Sequence, residues 1–231
     1  MRPTKVLGAA LIAVLGVGAL AGCSLSVTEE SKSYQVTEPV TKLVIRGDHA
    51  AVRLTTGDGP ISVTERLRYS KDAPKTEHRV SGGTLELTAG RCGRKISLSE
   101  CEARFEVQVP ANTVVDIEVD AGQVDVRGLA GDLTVVTDAG KVDATDLRSK
   151  RTRVESDAGA VLLRYAAVPD VVDARTDAGR IEVRVPPGTA YAVDASTDAG
   201  KTEIAVDRDA TSPHKITART SAGLVKVDTA P

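Results

Sequence analysis

Five aspartates recur at nearly equal intervals in the second half of the chain, each followed by alanine and glycine. Successive aspartates are 18, 19, 20 and 21 residues apart: Asp120, Asp138, Asp157, Asp177 and Asp198. If the chain coils with this period, stacked strands place the carboxylates in one row, about 4.8 Å apart. Such a row could hold a hard cation such as calcium through its oxygen atoms, or supply groups for acid–base catalysis.

The aspartate row also has a structural interpretation. A turn aspartate can accept hydrogen bonds from its own turn backbone. Lys141, Arg180 and Lys201 each lie three residues after an aspartate and could neutralise acids on neighbouring strands. The calcium-binding repeat Gly-Gly-x-Gly-x-Asp does not occur in the sequence. We therefore predict turn structure with charge pairing and no cofactor, and keep bound calcium as the alternative.

Candidate catalytic groups are dispersed rather than clustered. β-Helical polysaccharide lyases and hydrolases gather acids and bases on one side of the coil, whereas the acids of this chain recur as a period. His49, His78 and His214 are isolated in the sequence. Tyr165 and Tyr191 border predicted return loops, where a binding face could form. We predict that the protein is not an enzyme.

The segments on both sides of each Asp-Ala-Gly have the alternation of strands. A sixth copy, Ser221-Ala222-Gly223, extends the series, and the six glycines are 18, 19, 20, 21 and 23 residues apart. Positions seven, five and three before each glycine, and two and four after it, are apolar or small, whereas the positions between them are mostly polar. Period-two alternation predicts two strand arms with one buried face. We expect the glycine to adopt positive φ and the alanine to face inward.

A repeat of this length predicts an all-β, single-chain β-solenoid, similar to a β-helix, in which each short coil stacks on the preceding one. The period is about 18 to 23 residues. Weaker copies around Gly59 and Gly83 extend the pattern toward the N-terminus and raise the predicted total to about nine coils. We assign residues 39–231 to this domain.

The first residues have the composition of an export signal. Arg2 and Lys5 precede an apolar run that ends in Leu20-Ala21-Gly22-Cys23. This tetrapeptide resembles the bacterial lipobox, which predicts a lipoprotein signal peptide at residues 1–22 and a lipidated Cys23. Acyl chains such as palmitate would hold the protein on a membrane. The alternative is an uncleaved signal-anchor helix. The polar residues 23–38 are predicted to be a flexible tether.

Two further cysteines, Cys92 and Cys101, form an even pair once Cys23 is assigned to lipid. In an exported protein such a pair predicts a disulfide bond. Free thiols or half of a metal site are the alternatives.

Composition limits the partners. The formal net charge is −2, with 30 Lys and Arg against 32 Asp and Glu, so no basic field favours nucleic acid. The chain has no Trp, one Phe and four Tyr. A core of Val, Ala, Leu and Ile suits a narrow solenoid better than a globular sandwich, which usually uses aromatic side chains for bulk.

The repeats, the lipobox and the small turn residues together resemble the bacterial "putative adhesin" family, a toast-rack-like domain of unknown function. Matching runs include Gly140-Lys141-Val142-Asp143-Ala144 and Gly179-Arg180-Ile181-Glu182-Val183. The resemblance implies a right-handed β-solenoid on the outside of the cell, and no catalytic residues are transferred with it. We expect a lipid-anchored adhesin-like binding or structural module on the cell membrane, facing outside the cytoplasm. Its partner would be an envelope protein or a glycan. An envelope-stress sensor and a carbohydrate-active enzyme are the alternatives.

Overall fold

The computed structural model describes residues 27–92 and 100–230, and in these ranges the protein is all-β. The signal peptide predicted at residues 1–22 and Cys23, the predicted lipidation residue, lie outside the described residues. The described strands are β1 (Thr28–Val36), β2 (Lys42–Thr56), β3 (Ile61–Tyr69), β4 (Thr76–Ser81), β5 (Thr84–Ala89), β6 (Cys101–Val109), β7 (Val114–Arg127), β8 (Leu133–Leu147), β9 (Arg151–Tyr165), β10 (Val171–Val185), β11 (Ala192–Ala205) and β12 (Lys215–Thr229).

Seven long strands stack in parallel and form the body of the molecule. We call them rungs, and in stacking order they are β2, β7, β8, β9, β10, β12 and β11. Each Asp-Ala-Gly lies in the middle of its rung, with one arm before it and one arm after it. We call this tripeptide the corner. The predicted open, solenoid-like architecture is confirmed.

The corner glycines adopt the predicted positive φ, from 135° to 148° in the six repeats. They also permit very close stacking, because a Cβ on Gly159 would lie 1.8 Å from the carbonyl oxygen of Gly140 on the neighbouring rung. The prediction for the alanine is wrong, since Ala139, Ala158 and Ala178 are exposed. A buried hydroxyl side chain lies two residues before the alanine. In β10 this is Thr176, whose hydroxyl donates a hydrogen bond to the carbonyl oxygen of Ala178 (3.4 Å).

The N-terminal part combines parallel and antiparallel pairing. The first arm of β2 pairs in parallel with β5 and its second arm pairs in parallel with β6, so these two strands form an interrupted layer on the stack. Antiparallel partners then extend both sides, β4 next to β5 and β3 next to β6. Gly59 connects β2 to β3, and Gly83 belongs to the turn between β4 and β5. Neither glycine is a corner, so the described residues contain seven rungs and the interrupted layer of β5 and β6 rather than about nine coils. Residues 28–36, assigned to the tether, instead form β1 and pair with β3.

The last two rungs stack in the reverse of their order in the sequence. β12 pairs with both β10 and β11, so β11 is the end strand although it precedes β12 in the chain. The core positions explain this order. In the second arm of β12, Val225 and Val227 are fully buried, whereas the corresponding positions of β11 are Thr202 and Ile204. The more apolar rung therefore occupies the interior, and the more polar rung occupies the edge.

Candidate functional site

The predicted aspartate row lies on the outside of the corner, where Asp138, Asp157 and Asp177 are exposed on three successive rungs. These aspartates are not paired with one another in the strand register, whereas the residues on either side of them are paired. Asp198 does not follow Asp177 in space, because Ser221 of β12 occupies the rung between them. The predicted row is therefore interrupted before its last member.

The predicted charge partners of the row bind other acids. Lys141 lies 2.6 Å from Asp143, Arg180 lies 3.9 Å from Glu182, and Lys201 lies 2.6 Å from Glu203. Each cation thus pairs with the acid two residues further along its own strand. This is geometrically favoured, because residues i and i+2 share one face of a strand. The Glu203 carboxylate raises the pKa of Lys201 by accepting its hydrogen bond, and Lys201 lowers the pKa of Glu203.

The corner does not assemble a recognisable metal site in the part of the chain that the structure describes. Across residues 27–92 and 100–230, no three His, Cys, Asp or Glu side chains converge as metal ligands. Of the row, only Asp120 has a basic side chain within 4.0 Å among the described residues, namely Arg91 at 3.6 Å. Exposed carboxylates at this spacing repel one another weakly because water and salt screen them.

A broad charged surface runs across the arms that follow the corner. We call it the ladder face, and it consists of the outward side chains of these arms. Ion pairs connect its rungs: Arg164 lies 2.9 Å from Asp143, and Arg184 lies 3.4 Å from Asp228. Arg184 also lies 2.6 Å from Glu182 on its own strand. Opposite charges on adjacent strands stabilise the sheet modestly and leave the face polar.

An open depression of about 300 Å³ lies on the ladder face where β2, β7, β8 and β9 meet. We call it the Arg53 groove. Its charged lining consists of three arginines and two aspartates, a net charge of +1: Arg53, Arg127, Arg164, Asp125 and Asp143. Thr55 and Thr145 contribute hydroxyl groups.

The cations of the Arg53 groove differ in their pairing. Arg164 pairs with Asp143 inside the groove, and Arg127 pairs with Asp146 at 3.0 Å. Among the described residues, no carboxylate lies within 4.0 Å of the exposed Arg53 side chain. Gln123 donates a hydrogen bond to Asp125 (2.8 Å). Arg53 is therefore available to bind an anionic group. The repeat pattern does not point to Arg53, because β2 lacks the Asp-Ala-Gly tripeptide.

The N-terminal part of the fold contains a buried carboxylate on strand β3. Glu65 is 3% exposed and accepts hydrogen bonds from the hydroxyls of Tyr34 and Thr76, both at 2.6 Å. His78 stacks on the Tyr34 ring at a centroid distance of 4.3 Å. Burial raises the pKa of Tyr34 above its ordinary value, and the adjacent Glu65 carboxylate raises it further. These contacts satisfy Glu65 and identify it as a structural residue.

The remaining predicted residues have structural surroundings. Cys92 and Cys101 form the predicted disulfide bond, which is confirmed. Tyr165 and Tyr191 are buried, so the expectation that they border a binding face is wrong. His214 contacts the carbonyl oxygen of Pro169 through Nδ1 (2.9 Å). Within the described residues, no helix has the length and apolar character needed to cross a membrane.

Comparison with known proteins gives information about the fold alone. No protein-family model and no curated protein matches the chain. A crystal structure of a "putative cell adhesion protein" from Clostridium sporogenes matches with a TM-score of 0.55 at 14% identity, covering 89% of this chain and 100% of that chain. A "putative adhesin" from Bacteroides fragilis matches with a TM-score of 0.40 at 16% identity, covering 90% of this chain and 100% of that chain. The chain therefore shares the fold of the "putative cell adhesion protein" from Clostridium sporogenes, and the resemblance inferred from the repeats is confirmed at the level of fold.

Proposed function

We propose that this protein is a lipid-anchored, non-enzymatic binding module of the bacterial cell envelope, and that it binds an anionic glycan through the Arg53 groove. The observation that carries the proposal is the groove itself, in which Arg53, without a carboxylate partner among the described residues, lies beside two further arginines. The adhesion-type name of the Clostridium sporogenes protein agrees with a role in surface binding.

The lining of the Arg53 groove suits an acidic sugar. A guanidinium group can bind a carboxylate or phosphate through two parallel hydrogen bonds. Asp125, Thr55 and Thr145 can exchange hydrogen bonds with sugar hydroxyls. The groove is shallow and solvated, so we expect weak binding per site, with avidity arising from repeated units on a polymer.

The acids of the Arg53 groove support binding rather than hydrolysis. Asp143 pairs with both Lys141 and Arg164, and Asp125 accepts a hydrogen bond from Gln123. Glycoside hydrolysis needs one carboxyl group that donates a proton and a second that acts as base or nucleophile. Both carboxylates of the groove already contact donors of this chain, so we assign them to the structure of the face rather than to these roles.

Membrane attachment would place the protein in a defined orientation. β1 begins at Thr28, five residues after Cys23, and five extended residues span at most about 17 Å. The β1 end would therefore lie close to the membrane, and the Arg53 groove would begin at β2, three strands further along the sheet order. Cys23→Ser should move the protein from the membrane fraction to the soluble fraction, and unchanged retention would contradict lipidation.

Binding of labelled polygalacturonate, an acidic polymer, to cells that display the full chain tests the glycan proposal. We expect Arg53→Gln to reduce binding several-fold, and we expect neutral dextran not to bind. Arg151→Gln is the matched control, because Arg151 is an exposed arginine paired with Asp132 (3.0 Å) before the corner. Equal losses in both variants would contradict a specific groove. Release of reducing ends from the polymer, with or without calcium, would contradict the non-enzymatic assignment.

A further inference from the structure

The end rung β11 leaves the interior of the solenoid open. In the internal rung β12, the inward side chains Ile216, Ala218 and Val225 are buried. The equivalent side chains of β11, Val193 and Ala195, are only partly buried although they pack against the same core. From this open end we propose that β11 of one molecule pairs antiparallel with β11 of a second copy and joins two solenoids end to end.

The backbone of β11 supports pairing with a further strand. β11 is 14 residues long and pairs with β12 on one side. Alternate backbone amide and carbonyl groups on its other side therefore lack a strand partner among the described residues. The other end of the sheet order is different, because it ends in the antiparallel strands β1 and β4, which pair with β3 and β5 and do not continue the parallel stack of rungs. Of the seven rungs, β11 is therefore the one whose free edge could pair with a further strand that covers the same core.

A two-fold axis through the corner relates the two copies without breaking the inward face. The axis places the arm before one corner opposite the arm after the other corner, and the strands run antiparallel. In a strand of L-residues, every residue whose side chain points inward directs its amide N–H and its carbonyl oxygen toward the same end of the solenoid. In an antiparallel pair of such strands, inward residues of one copy therefore lie opposite inward residues of the other. An axis that passes between Ala199 and Gly200 gives the register in which the paired residue numbers sum to 399.

This register matches apolar with apolar and polar with polar side chains. It places Val193 opposite Val206 of the second copy, Ala195 opposite Ile204, and Thr197 opposite Thr202. The Thr197 hydroxyl is buried and lacks a hydrogen-bond partner among the described residues. A threonine on the opposite strand can provide that partner, because paired Thr hydroxyls hydrogen-bond across strands.

Charges at the corner are also complementary in this register. Asp198 lies opposite Lys201 of the second copy, and the symmetry produces this pair twice. Asp198 has no cation within 4.0 Å among the described residues, and Lys201 has Glu203 on its own strand at 2.6 Å. Glu203 lies opposite Ser196, and Asp194 lies opposite Ala205, so no like charges face each other. Opposite charges in directly paired positions favour both the association and the register.

Cysteine cross-linking of full chains carrying two different tags tests the register. One copy carries Asp198→Cys and the other Lys201→Cys, and both are displayed together on cells under oxidising conditions. We expect a disulfide-linked pair that contains both tags. The matched control combines Asp198→Cys with Glu203→Cys, which the register does not oppose, and should cross-link far less. Absence of the first product, or equal yields of both, would overturn the proposal.

Charge reversal tests the association independently. Asp198→Lys and Lys201→Asp should each weaken the dimer about tenfold in light-scattering measurements on the extracted protein, because each creates two like-charge contacts. The double variant should restore wild-type association. A folding defect does not explain such a rescue, because both residues are exposed. A wild-type protein that stays monomeric at high concentration, or that holds a strand of a different protein at β11, would overturn the proposal.

Discussion

Substitution of a corner glycine measures how closely the rungs stack. Gly159 lies at φ 135° in an internal rung, and a Cβ there would lie 1.8 Å from the carbonyl oxygen of Gly140, well inside the 3.0 Å limit for real Cβ contacts. The φ value alone costs roughly 1–3 kcal/mol for alanine. Moving the rung apart also weakens about two backbone hydrogen bonds at roughly 1 kcal/mol each. We expect Gly159→Ala to lower the free energy of unfolding by about 3–5 kcal/mol.

A matched control separates backbone strain from the close contact. Gly59 has nearly the same φ, 131°, but nothing lies within 4 Å of a Cβ at that position. Gly59→Ala should therefore lose only the strain, about 1–3 kcal/mol. Gly200→Ala should fall between the two, because its Cβ would also meet a backbone oxygen at 1.8 Å, but the end strand β11 can move outward.

Guanidinium unfolding followed by far-ultraviolet circular dichroism measures the three variants, since the chain has no Trp. A difference of about 2 kcal/mol between Gly159→Ala and Gly59→Ala corresponds to roughly 4–8 °C in melting temperature. Equal losses in the two variants would refute the conclusion that rung stacking requires glycine. A larger loss in Gly200→Ala than in Gly159→Ala would refute the assignment of β11 to the edge.

Three further predictions concern the disulfide, the buried carboxylate and the aspartate row. Cys101→Ser should lower the free energy of unfolding by about 2.5–3 kcal/mol by freeing the loop from Cys92, and reduction of the wild type should cause the same loss. Tyr34→Phe should cost about 1–3 kcal/mol, because Glu65 loses a hydrogen-bond donor. Folding raises the pKa of Tyr34 above 10.0, so its contribution is complete below that pH and is lost above it, and Tyr34→Phe should flatten this alkaline decline in melting temperature. Asp157→Asn should raise the melting temperature slightly at low salt by removing repulsion, whereas a calcium-induced rise that this variant abolishes would establish a cation site instead.

The local pattern of the chain was sufficient to predict the shape of each rung. Period-two alternation identifies which side chains are buried, since that alternation is a property of every extended strand. The recurring glycine predicts a corner because glycine adopts positive φ at low cost. The disulfide bond followed from cysteine count and export context. Asp138, Asp157 and Asp177 fall at polar positions of this alternation, and the structure places them on the outer surface.

The neighbours of each rung depended on tertiary structure. The repeat pattern alone predicts that the rungs stack in sequence order, whereas the observed order is β10, β12, β11. Burial of the more apolar β12 selects between them, and that choice separates Asp198 from Asp177. The Arg53 groove and the Glu65 site likewise combine residues that are distant in sequence. The sequence by itself determined how each coil bends, because bending is local, whereas packing of the complete stack decided which coils touch.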